Sequence, residues 1–153
     1  MLNRIFVSLD GSPLASVVLT SVRKLLKRSE PGKGEMILAA VTLIPSMYHV
    51  IDQNVSQADL DACHANLDSV AAKLGTDGIS TAVEVSEDAL REAEKVVTLA
   101  EGYHAECIAL ITHGRGGLSR LLLGSVAAKI IHLAPIPVLS LGLVHLTTGN
   151  PFQ

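Results

Sequence analysis

Five short apolar runs alternate along the chain with four stretches whose apolar residues recur at helical spacing. This alternation constrains the fold more than any other feature. Parallel strands cannot be joined by a tight turn and need a crossover, usually a helix. The first run, over 5–9, predicts a strand ended by Asp10 and Gly11. Ser12 and Pro13 then suit a helix cap and a first helical position. Ala15, Val18, Leu19, Val22, Leu25 and Leu26 give that helix one apolar face, with Arg23, Lys24, Lys27 and Arg28 gathered toward its C-terminus. Gly32 and Gly34 mark the next loop, and 36–43 is nearly all apolar, as an interior parallel strand should be. After a polar stretch over 44–55, Ser56 and Asp59 resemble a capping box. Leu60, Cys63, Leu67, Val70, Ala71 and Leu74 form the following face, closed by Gly75 and Gly78. A third strand is expected over 79–85. Ser86 would cap a helix with Leu90, Ala93, Val97 and Ala100 on its face, ended by Gly102. A fourth strand is expected over 105–111, then a glycine-rich loop, then a helix capped by Ser125 and running through Val126, Ala127, Ile130 and Ile131 to a stop before Pro135. A last strand over 136–143 and a tail from about 144 to 153 complete the chain.

The expected fold is therefore α/β: one doubly wound, flavodoxin-like or Rossmann-like three-layer domain over 1–153, with a five-stranded parallel sheet and helices on both faces. Strand order is not readable from periodicity. At 153 residues the chain can bury a sizeable core without disulfides or a structural metal. Lys and Arg number 12 against 15 Asp and Glu, giving −3, so the surface does not suit a protein that coats nucleic acid or anionic lipid. Phe6, Phe152, Tyr48 and Tyr103 are its only aromatics, too few for a base-stacking platform. Cys63 and Cys107 fit buried, reduced thiols. Asp10 interrupts the N-terminal apolar run before a signal core can form, and no tract reaches the ~18 residues of a membrane span. A cytoplasmic protein with no integral membrane segment is the expectation.

Open parallel sheets bind ligands at the C-terminal ends of their strands. Two places qualify: Asp10-Gly11-Ser12 after the first strand, and the loop from Thr112 to Ser125 after the fourth. In that loop Gly114, Gly116 and Gly117 free backbone N–H groups, the next helix adds its N-terminus, and His113, Arg115 and Arg120 add basic groups that suit an anion. The competing reading is a turning loop whose glycines serve geometry alone. No Gly-Lys-Ser/Thr of a Walker A loop is present, and only Gly11 of a dinucleotide fingerprint follows the first strand. The histidines have no metal-ligand spacing, so no metal site is expected. No nucleophile elbow or Ser-His-Asp arrangement appears, so no catalytic residue is assigned.

The segment THGRGGLSRLLLGSVAAKIIHLAPIPVLSL resembles the C-terminal signature of the universal stress protein family, and FVSLDGS resembles that family's first strand. The likeness extends over nearly the whole chain. It implies five parallel strands and, in many members, an ATP or AMP pocket with the pattern Gly-x2-Gly-x9-Gly-Ser/Thr. Carried onto this chain, the second glycine is Gly114 and the final pair is Gly124-Ser125, followed by Val126; their N–H groups and the Ser125 hydroxyl would hold phosphates. Asp10 matches the aspartate facing the nucleoside, and Val41 lies where the family's backbone meets adenine. Thr112, His113, Arg115 and Gly117 are further phosphate-loop contributors. Mg²⁺ or Mn²⁺ would arrive with the nucleotide. The first glycine of the pattern falls on Ile111, whose β-branched side chain either narrows the phosphate loop or points into the core.

Two functional classes follow. One is an adenine-nucleotide-binding stress-response regulator, with slow ATP hydrolysis at most. The other is a nucleotide-independent dimeric interaction protein with the same fold. The resemblance also implies a homodimer paired through the last strand, by way of Ile136, Val138, Leu139 and Leu141, which covers an otherwise open sheet edge. Regulatory protein partners remain unidentified, and nucleic acid is not among the expected ones.

Overall fold

The fold is known from a computed structural model, which describes residues 2–9, 15–27, 34–41, 57–85, 91–112 and 124–141. Strands and helices alternate in the expected order: β1 (Arg4–Leu9), α1 (Ala15–Leu26), β2 (Glu35–Ala40), α2 (Gln57–Gly75), β3 (Ser80–Val85), α3 (Glu92–Gly102), β4 (Cys107–Ile111), α4 (Ser125–Leu133) and β5 (Val138–Leu141). The five strands form one sheet in the order β3-β2-β1-β4-β5, and every neighbouring pair is parallel. The result is a three-layer Rossmann-like fold. β1, the first strand made, lies at the centre.

The two faces of the sheet carry separate apolar clusters because successive side chains of a strand point opposite ways. Ile5, Val7, Leu9, Met36, Leu38 and Ala40 pack with Val18, Val22 and Leu26 of α1 and Leu67 and Leu74 of α2. Phe6, Ile37, Ala39, Val41, Ile108 and Leu110 pack instead with Ala93, Val96, Val97 and Ala100 of α3 and Ala127 and Ile130 of α4. Near-continuous burial along β1, β2 and β4 thus reflects helices on both sides. Cys107 is buried in this packing, whereas Cys63 is only half-buried and less enclosed than its sequence surroundings suggest.

Several boundaries differ from expectation for local reasons. β4 starts at Cys107 rather than 105, and β5 at Val138 rather than Ile136, directly after Pro137, which lacks an N–H for the ladder. α3 starts at Glu92 with Arg91 as N-cap. Ser12, Pro13, Ser56, Ser86 and Leu90 lie outside the described residues. Ser125 does not cap α4. It is the first helical residue, and the N-cap is Gly124, which has no side chain to close the first turn. α2 ends as expected at Gly75, and Gly78 carries the chain toward β3 at φ 74°, a left-handed conformation that glycine adopts readily.

The N-terminal ends of the strands are laced by charged groups. Arg4 pairs with Glu35 and donates to the Tyr103 carbonyl at 3.2 Å. The Glu106 carboxylate accepts the Asn3 N–H at 2.6 Å. Arg23 and Lys27, half of the basic cluster at the end of α1, both grip Asp77 in the turn before β3, at 2.7 and 3.1 Å. No described helix is long and apolar enough to cross a membrane.

Candidate functional site

The strand order reverses direction between β1 and β4. β1 continues outward to β2 and β3, while the chain after β3 crosses back to place β4 on the other side of β1. Such a switch point opens a crevice at the C-terminal ends of the two strands, because the connections leaving them run to opposite faces. Here it lies where β1 ends at Leu9 and β4 ends at Ile111. The β1–β4 pairing ends at Val7 with Ala109, two residues short of the end of each strand.

The start of α4 is joined to the end of β4 by backbone hydrogen bonds. The Gly124 N–H donates to the Thr112 carbonyl at 3.0 Å, and the Ala128 N–H returns to the Gly124 carbonyl at 2.8 Å to open the helix. Thr112 is held in turn by β5, its N–H donating to the Leu141 carbonyl at 3.1 Å. A Cβ on Gly124 would lie 3.3 Å from the Thr112 carbonyl oxygen. Glycine therefore eases a close approach here and is not needed for its dihedral, since φ −56° is open to any residue. The first-turn N–H groups of α4 point out of the helix at this end, where the macrodipole favours negative charge.

Of the residues expected in the site, the structure brings Ile111, Thr112, Gly124, Ser125 and Val126 together at the end of β4, with Ser125 exposed and Val126 half-buried. Val41 follows β2, buried on the α3–α4 face that α4 also covers. It stands two strands away from β4, roughly 10 Å at normal strand spacing. Ile111 faces the other way. Leu110 packs into the α3–α4 cluster, whereas Ile111 packs against the cluster beneath α1 and α2. The side chain at the family's glycine position thus points into the core layer, away from the α4 N-terminus. Asp10, His113, Gly114, Arg115 and Gly117 lie outside the described residues.

The Gly124–Thr112 pin is a site feature that sequence reading missed; its only signal was a glycine one residue ahead of the expected cap. A second is the pair Glu94–Lys129, 2.6 Å apart, which ties α3 to α4. The hydrogen bond from Lys129 holds the Glu94 carboxyl below the usual glutamate range. Burial raises the thiols of Cys63 and Cys107, so neither is a ready thiolate. Tyr103, whose hydroxyl donates to Glu84 at 3.1 Å, is raised first by burial and then by that carboxylate. No group of three or more metal-ligating side chains occurs among the described residues. Among the same residues, the strand ends at the switch point carry backbone donors and apolar side chains, an arrangement suited to holding an anion.

Residues 1–141 match the universal stress protein family. No curated protein matches the chain in sequence. Among solved structures, a universal stress protein family protein from Burkholderia pseudomallei is 22% identical, with a TM-score of 0.66 over 90% of this chain and 95% of its own. The universal stress protein from Archaeoglobus fulgidus in complex with dAMP is 16% identical, with a TM-score of 0.65 over 92% and 98%. A family protein from Arabidopsis thaliana with AMP bound is 14% identical, with a TM-score of 0.62 over 97% of each chain. At these identities the likeness is one of fold. The match across 1–141, together with the strand order and the glycine-pinned helix at the switch point, leads to one conclusion: this chain belongs to the universal stress protein family.

Proposed function

We propose that the chain is an adenine-nucleotide-binding regulator of a stress response, holding ATP or AMP at the β1–β4 switch point. One observation carries this reading: the α4 N-terminus is drawn onto the end of β4 by the Gly124–Thr112 hydrogen bond, so closely that a Cβ on Gly124 would meet the Thr112 carbonyl oxygen at 3.3 Å. The first-turn N–H groups of Ser125 and Val126 then serve a phosphate, joined by Gly114 and by the phosphate-loop residues Thr112, His113, Arg115 and Gly117. The backbone at Val41 meets the adenine, and Asp10 orients the nucleoside or the water shell of a Mg²⁺ or Mn²⁺ ion carried by the nucleotide. Relatives of the same fold that hold AMP and dAMP support the assignment. We assign no catalytic residue and allow slow ATP hydrolysis at most. A single domain over 1–153 and a cytoplasmic location go with this reading.

The test is whether adenine nucleotide leaves the purified protein on denaturation, read by absorbance and mass spectrometry. Bound AMP or ATP is the expected result. Nucleotide-free protein that also fails to bind added AMP or ATP overturns it.

The second reading, a nucleotide-independent dimeric interaction protein, draws on a different observation. β5 is an edge strand of four residues with Val138, Leu139 and Leu141 half-buried, next in the chain to an α4 that exposes Ile131 and Leu133. In both readings we propose a homodimer through this edge, with Ile136 contributing from just before the strand. Val138→Lys should then shift the mass in solution from dimer toward monomer by light scattering. A native protein that is monomeric at micromolar concentration rules the dimer out.

A further inference from the structure

We infer that nucleotide binding and pairing of the β5 edge strengthen each other, because Thr112 clasps both ends of the α4–β5 unit that carries them. This rests on the nucleotide-binding and dimer readings above and adds the regulation that joins the two. Thr112 follows β4 directly. Its carbonyl accepts the Gly124 N–H at 3.0 Å, and its own N–H donates to the Leu141 carbonyl at 3.1 Å. Its hydroxyl donates to the same carbonyl at 3.4 Å. Gly124 is the N-cap of α4 and Leu141 the last residue of β5, so one residue holds the beginning and the end of a continuous stretch of chain. The beginning offers the N–H groups proposed for a phosphate. The end lies on the strand proposed to pair with a second copy.

The stretch between the two bonds is thinly buried. From 124 to 141 only Ala127 and Ile130 are buried, and no residue of β5 is, whereas most residues of β1, β2 and β4 are buried. α4 has nine residues, fewer than an isolated helix needs to hold its shape, and Gly124 gives its first turn no side-chain cap. Its tie to α3, Lys129 with Glu94, joins two half-exposed side chains, which adds little. β5 has the sheet on one side only. Sparse burial and an open edge mark a unit that opens locally at low free energy. On opening, the α4 N–H groups leave the end of β4 and the β5 edge leaves the sheet together. A phosphate at α4 holds the seated form, and so does a partner strand at β5. Two ligands that select the same form raise each other's affinity by an equal factor.

The test uses a variant that blocks the edge and leaves the inner ladder intact. The Pro137 and Leu141 carbonyls accept from β4, so by alternation the N–H of Ser140 faces the open edge. Ser140→Pro removes that donor and should make the chain monomeric by light scattering. AMP, and separately ATP with Mg²⁺, are titrated by calorimetry against the native chain and this variant. The variant should bind about tenfold more weakly, and saturating nucleotide should tighten the native dimer by the same factor in sedimentation over a dilution series. In the monomeric variant, AMP should slow amide hydrogen exchange in β5 as well as at the start of α4. Circular dichroism confirms folding; Val138→Lys serves if the proline variant proves unstable. Equal nucleotide affinity in monomer and dimer, with a dimer unchanged by nucleotide, overturns the coupling and leaves both earlier readings standing. Exchange slowed at α4 but not at β5 overturns the clasp at Thr112. A native chain that binds neither nucleotide overturns the nucleotide reading, one that is monomeric at micromolar concentration overturns the dimer, and either result overturns the coupling too.

Discussion

At the N-terminal ends of the strands, Arg4 joins Glu35 and the Tyr103 carbonyl, Glu106 accepts from Asn3, and Asp77 is held by both Arg23 and Lys27. At the C-terminal ends, backbone N–H to carbonyl bonds join Gly124 to Thr112 and Thr112 to Leu141, and the Thr112 hydroxyl also donates to the Leu141 carbonyl at 3.4 Å. The first end spends its charged side chains on one another, which ties helix ends and turns to the sheet. Among the described residues, the second places the apolar Leu9 and Ile111 at the strand ends beside the helix-terminal N–H groups of α4, which the proposed function gives to a phosphate. On the proposed reading, stability and recognition fall at opposite ends of the same strands. A substitution at one end should move melting temperature, and a substitution at the other should move binding.

The largest effect is expected from Gly124→Val. A branched side chain at 3.3 Å from the Thr112 carbonyl pushes α4 off the strand end, and adenine nucleotide affinity should fall by more than about a hundredfold, or some 2.7 kcal/mol. Helical signal in circular dichroism should remain; unchanged affinity would mean that the phosphate site lies elsewhere. Next is Arg4→Ala, which removes the Glu35 pair and the bond to the Tyr103 carbonyl. Because the side chain is 41% exposed, the loss should be only about 1 kcal/mol in chemical denaturation, with nucleotide affinity unchanged. A loss of affinity there would break the division between the two ends.

Asp77→Asn sharpens the contrast through pH. Hydrogen bonding from Lys27, then from Arg23, holds the Asp77 carboxyl below the ordinary aspartate range. A carboxylate depressed in the folded state adds stability above its unfolded pKa of about 4, and that stability is lost as pH falls through the folded value. The melting-temperature gap between the native chain and Asp77→Asn should be widest near neutral pH and close as the pH falls through the lowered folded value. A gap that does not vary with pH would show that the ion pairs contribute nothing. The smallest effect is expected at His104, which follows α3 at φ 53°. His104→Gly relieves that left-handed strain but frees the unfolded chain, for a net gain of about 0.5 kcal/mol by thermal melting.

The alternation of strand and helix was legible in the sequence because interior parallel strands are apolar throughout, while helices carry one apolar stripe. Val18, Val22 and Leu26 on α1 and Leu67 and Leu74 on α2 are buried as their spacing predicts. Strand order was not legible, since nothing local in β4 says that it returns to the far side of β1. The face of Ile111 was left open for a related reason. Its orientation depends on the alternation within β4 and on which helices cover which face, and the latter follows from the crossover. The cap of α4 falls one residue earlier than Ser125, a good capping residue, because the tertiary hydrogen bond to Thr112 is made by the backbone of Gly124, where a side chain would be tightly placed. Ion pairs such as Arg23–Asp77 and Lys129–Glu94 join residues far apart in sequence and have no one-dimensional signature.

The central place of β1 has a consequence for a chain emerging from the ribosome. Its neighbour β2 follows at once, but its other neighbour, β4, arrives about a hundred residues later, as the Asn3–Glu106 bond across 103 positions shows. The chain as far as Val85 can build three strands and cover one side with α1 and α2. Phe6, Ile37, Ala39 and Val41, on the other side, have no cover until α3 and α4 have been made. The nascent protein therefore carries a bare apolar sheet face through the middle of its own synthesis. Long-range pairing of this kind makes folding slow and such intermediates prone to aggregate. The second half of the chain is what ends that exposure.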